Sequence, residues 1–135
     1  MGNRGKLLTY YEARRFRPDQ CYIYGFPLDK AGRHALGEKL YPTPPNTTST
    51  EFVKPKNRLL DVLCHLLREC DAVWPPQRVD WAVGTWEGEE HMLIGVAVCR
   101  VKNDEHIPKG EDMVKLKAVF AANGFTEEPR WFLYL

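Results

Sequence analysis

Between His91 and Val101 the chain carries a run in which both alternating residue sets are apolar. Side chains alternate across a strand. Met92, Ile94, Val96 and Val98 therefore share one face, and Leu93, Ala97, Cys99 and Val101 share the other. A strand apolar on both sides reads as a central one that needs cover above and below. That demand limits the fold more than any other feature of the 135 residues.

The flanking segments show what cover is at hand. Cys21-Tyr22-Ile23-Tyr24-Gly25-Phe26 is a first strand, with Tyr22, Tyr24 and Phe26 on one face and Pro27 ending it. Asp29 is placed to cap a helix over 30–40, whose apolar residues are Ala31, Ala35, Leu36 and Leu40 and whose Gly32 and Gly37 lower its propensity. Residues 41–56, with Pro42, Pro44, Pro45 and Pro55 among threonines, form a long loop.

The strongest helix is 57–71. Leu59, Leu63, Leu66 and Cys70 recur at helical spacing. Leu60, Cys64 and Leu67 widen that stripe beyond half the circumference, which implies contact on two sides. A hairpin follows, with arms Val79 to Trp86 and His91 to Val101 joined by Glu87-Gly88-Glu89-Glu90. A charged loop over 102–110 leads to a helix near 111–123, stopped by Asn123-Gly124. Arg130 to Leu135 is a last strand.

This order predicts an α+β fold, the ferredoxin-like β-α-(α)-β-β-α-β arrangement, with a four-stranded antiparallel sheet, helices mainly on one face and an inserted loop plus helix. Three helices do not readily shield both faces of such a sheet and also both sides of the helix 57–71. A homodimer would supply the missing cover.

Charge divides the chain. Arg4, Lys6, Arg14, Arg15 and Arg17 against Glu12 give residues 1–17 a charge of +4, and the remaining 14 basic and 17 acidic residues give −3. The predicted organisation is a basic N-terminal arm over 1–18, with Tyr10, Tyr11 and Phe16 as apolar anchors, and a single α+β domain over 19–135. No signal-peptide core or membrane-spanning run is evident, so an intracellular location without membrane association is expected.

Candidate chemistry is sparse. Cys64 and Cys70 lie six residues apart on one helix and point about 240° apart, and His91 and Cys99 are about 26 Å apart along a strand, so neither pair has the spacing of a metal site. No nucleophile dyad or phosphate-cradling glycine loop is present, and no metal or cofactor is expected. The glutamates at 87, 89 and 90 read as a solvated turn.

The segment Tyr22-Ile23-Tyr24-Gly25-Phe26-Pro27-Leu28-Asp29 resembles the first-strand motif of RNA-recognition motifs over one strand and the following turn. That resemblance implies bases stacking on central-strand aromatics. Gly25 stands where the family has Asn. Met92 to Cys99 lacks the basic-Gly start and the aromatics of the partner motif, and residues 41–74 are foreign to the pattern, so the chain is not assigned to that family.

Three functions follow in order. The first is a non-catalytic binding or assembly domain that homodimerises through an aromatic and apolar sheet face. The second is a domain binding single-stranded RNA or DNA through Tyr22, Tyr24 and Phe26 with Arg14, Arg15 and Arg17. The third is a small enzyme or ligand-binding protein of the dimeric α+β barrel kind, with Tyr24, Asp80, Trp86 and His91 as polar groups around an apolar ligand.

Overall fold

A computed structural model of the chain describes residues 6–15, 21–42 and 58–134. These form α1 (Tyr10–Arg15), β1 (Tyr22–Pro27), α2 (Lys30–Leu40), α3 (Arg58–Asp71), β2 (Asp80–Trp86), β3 (Glu89–Cys99), α4 (Glu111–Ala122) and β4 (Arg130–Tyr134). The architecture is α+β, with four antiparallel strands and four helices among the described residues.

The sheet closes on itself. β1 pairs with β3 and β4, and β2 also pairs with β3 and β4, giving a ring in the order β1-β3-β2-β4. The β2–β4 seam is short, with Gly84 opposite Tyr134 and Thr85 opposite Leu133. The third strand, expected to be central, has two neighbours, as does every strand in this ring.

A ring of four strands has room for few large side chains. A Cβ on Gly84 would sit 2.6 Å from the Cβ of Phe132, and one on Gly95 would sit 2.6 Å from Oη of Tyr10. The interior is filled by Ile23, Leu93, Val98 and Phe132, with Ala82 beside them. α1 and the residues before it supply Leu8, Tyr10 and Ala13 to the same cluster.

The outer side of the barrel carries the larger core. Phe26, Ile94 and Val96 meet Leu36 of α2, Val62, Leu63, Leu66 and Cys70 of α3, and Leu116 and Phe120 of α4. Both faces of β3 are therefore covered within one chain. The alternation along β3 is broken once, because the register with β1 shifts between Tyr24 and Gly25. That irregularity leaves Val96 on the helix side with Ile94 and moves Val98 to the inner cluster, correcting the strict alternation expected for these residues.

Local signals explain most boundaries. Asp29 Oδ2 accepts from the Gly32 N–H at 3.1 Å, capping α2 as its sequence predicts. The hairpin turn is tighter than expected. Glu87 and Gly88, at φ 51° and 82°, occupy the two central positions, and Glu89 and Glu90 already belong to β3. Ala122, in the last turn of α4, is exposed.

Candidate assembly surface

α3 presents two faces of opposite character. Val62, Leu63, Leu66 and Cys70 are buried in the core. His65 fastens the helix to the end of α4: its Nε2 lies 3.0 Å from Asn123 Oδ1 and 2.9 Å from Glu69 Oε1. Two acceptors at one ring nitrogen place the proton there. Asn123 is itself buried, and its Nδ2 donates to the Val119 carbonyl at 2.8 Å.

The other face of α3 is only partly covered among the described residues. Leu60 is 48% exposed and Cys64 is exposed, while Leu67 is half-buried against the core. These three stand at positions i, i+4 and i+7, so they form one stripe along the helix. Asp61 and Arg68 both lie about 80–100° around from Leu60, on the same flank of that stripe. Neither has an ion-pair partner among the described residues. At the start of α3, Leu59 is 40% exposed. It lines a shallow groove of about 210 Å³ with Val62 and with Lys30, Arg33 and His34 of α2.

The residues singled out in the sequence fall in three other places. Phe26 is 1% exposed and stacked on Phe120 at 4.1 Å between ring centroids, so it belongs to the core and offers no open platform. Tyr22 and Tyr24 are half-buried. The ammonium of Lys102 sits 5.1 Å from the Tyr22 ring centroid, and Tyr24 makes an edge contact with Trp131. Burial, with Asp104 and Glu128 nearby, raises the Tyr24 phenol above its ordinary value.

Arg14 reaches Asp80 at 3.1 Å, so α1 is pinned to the start of β2. Hydrogen bonding to Tyr134 raises the Arg14 guanidinium further, and Asp80 adds to the effect. Arg15 is exposed, its guanidinium 5.9 Å from the Tyr11 ring. Arg17 and Phe16 lie outside the described residues. Beside Arg14, a depression of about 420 Å³ is lined by Trp81, Ala82, Val83 and Tyr134.

Trp86 and His91 do come together, at the far end of the barrel. Their rings are 6.4 Å apart, His91 is 5.5 Å from Phe132, and the Arg130 guanidinium covers Trp86 at 4.3 Å. His91 Nε2 is buried with no hydrogen-bond partner. Asp80 is six residues away along β2 from Trp86, roughly 20 Å, so the four polar groups proposed around one ligand are not gathered at one place.

The thiols also separate. Burial pushes Cys70 up to about 12 and Cys99 up to about 11, and raises Cys21 as well. Cys64 is the exposed member of the four. No group of three or more metal-ligating side chains occurs among the described residues, and no helix there is long and apolar enough to cross a membrane.

Sequence reasoning named no residue of α3 as a site, although the over-wide stripe through Leu60, Cys64 and Leu67 was the available signal. No family model matches the chain, and no curated protein or solved structure matches it.

Proposed function

We propose that this chain is a non-catalytic assembly domain that homodimerises, with the outer face of α3 as its docking surface. One observation carries the reading: Leu60 is 48% exposed on the same stripe as the exposed Cys64. Burying the exposed half of Leu60 is worth half of the ~1.5–3 kcal/mol for a whole leucine, and a two-fold contact counts each residue twice. Two other reasons for expecting a dimer lose their force, because β3 is covered on both faces within the chain and Phe26 is in the core. The frame reads as a ferredoxin-like connectivity whose outer strands, β2 and β4, meet; the adjacency of β1 to both β3 and β4 supports this.

α3 has 14 residues, a length of about 21 Å. One helix pair of that length suits an exchanging dimer with an interface at the low end of specific contacts. Light scattering over about 1–100 µM, the range that separates weak from tight association, tests it. The mass is expected to climb from 15.6 kDa towards twice that value. Leu60→Glu should hold the chain at the monomer mass with an unchanged circular dichroism spectrum, since the side chain points outward. A wild-type chain that stays monomeric across the range overturns the reading.

A further inference from the structure

We infer that the occupant of the α3 stripe is α3 of a second copy, running antiparallel, with the two-fold axis passing beside Cys64. This inference rests on the homodimer reading and adds its geometry.

The argument comes from the flank of the stripe. Asp61 and Arg68 are seven residues apart, two helical turns, and both project to the same side of Leu60 and Cys64. Consider two copies of α3 packed stripe to stripe and antiparallel, related by a two-fold axis perpendicular to the plane of the helices. That operation keeps a given flank on the same side of the plane while reversing the helix direction. Asp61 of one copy then comes opposite Arg68 of the other, and the pair repeats on the far side of the axis. The midpoint between positions 61 and 68 falls next to Cys64, so the two Cys64 side chains approach each other. Leu60 of each copy meets the outer edge of the half-buried Leu67 of the other, covering the exposed part of Leu60. In a parallel pair, the same flanks lie on opposite sides of the plane and the charges do not meet. Both Asp61 and Arg68 lack an ion-pair partner within the described chain, so both are available for an intermolecular one.

The charge arrangement gives a test that few other interfaces would pass. Asp61→Lys makes the flank wholly basic, and Arg68→Glu makes it wholly acidic. Each variant alone sets like charges across the axis twice and should dimerise about tenfold more weakly than wild type. Mixed in equal amounts, the two should form a heterodimer with an affinity close to wild type, because both reciprocal pairs are restored. Native mass spectrometry or light scattering of the mixture reads this directly. As an independent measure, a short bis-maleimide should join wild-type chains through Cys64, and Cys64→Ser should abolish the product, since the other three thiols are buried.

A dimeric wild type with no heterodimer preference and no Cys64 cross-link overturns the antiparallel arrangement while leaving the dimer reading in place. A wild type that remains monomeric ends both.

Discussion

Val96 is where β3 departs from regular pairing, and a displaced strand residue leaves its backbone needing a new partner. The Trp74 indole supplies it, its Nε1 donating to the Val96 carbonyl at 2.9 Å. Trp74→Phe keeps most of the apolar ring and removes the donor, leaving a buried carbonyl unpaired. The expected loss is about 1–3 kcal/mol in urea unfolding, with an unchanged slope against denaturant. An unmoved midpoint would show that the irregularity needs no such support. The residue pair was invisible in the sequence: Trp74 sits before Pro75-Pro76 and looks like a loop aromatic, while Val96 looks like one member of a perfect alternation.

α1 shows the same divide for a whole element. Six residues are too few to hold a helix alone. Two supports hold it. Thr9 and Glu12 form a reciprocal capping box: the Thr9 N–H donates to Glu12 Oε1 at 3.1 Å and the Glu12 N–H donates to the Thr9 hydroxyl at 3.0 Å. Docking adds the rest, with the Leu8 N–H on the Val98 carbonyl at 2.8 Å and the Tyr10 hydroxyl donating to the Arg78 carbonyl at 3.2 Å. The backbone and side chain of Thr9 hold the Glu12 carboxyl below its ordinary value. A carboxyl whose folded value is depressed contributes above its unfolded value and loses that contribution as pH falls, so the cap should weaken in acid. Thr9→Ala should bring the Glu12 value, followed by NMR titration, part of the way back and speed amide exchange in α1 while the barrel strands keep their protection. An unchanged Glu12 titration would contradict the cap. The helix is legible through Thr9-x-x-Glu12, whereas a hydrophobic period cannot register in six residues. By contrast α2, α3 and α4 were legible because their apolar spacing spans three turns or more, and Asp29 announced where α2 begins. For α3 the width of the stripe also announced an outward apolar face. Which residues of that face stay uncovered depends on packing that no periodicity encodes.

For the molecule as a whole, the decisive event is the meeting of β2 and β4, two residue pairs joining positions about fifty apart. No local pattern specifies that contact. Its trace in the sequence is the presence of Gly25, Gly84 and Gly95 inside strand patterns, where glycine marks a close approach. Closure covers the inner face of β3, the helices packed outside it cover the outer face, and together they put a set of weak acids out of water's reach. Desolvation raises the Tyr10 phenol well above its ordinary value, with Asp80 adding to it, and raises the thiols of Cys21, Cys70 and Cys99. Each holds its proton in the folded chain and releases it on unfolding once the pH passes the ordinary value. The unfolded state then binds fewer protons than the native one, so stability falls as pH rises. For Cys70 the window opens near 9.0 and extends to about 12. The urea midpoint should therefore be level from neutral pH to about the ordinary thiol value and decline above it. Cys70→Ala should lower stability at every pH through the space it leaves, yet flatten the decline on the alkaline side. If the wild-type and variant curves run parallel through that range, the buried Cys70 thiol is not what makes the fold sensitive to base.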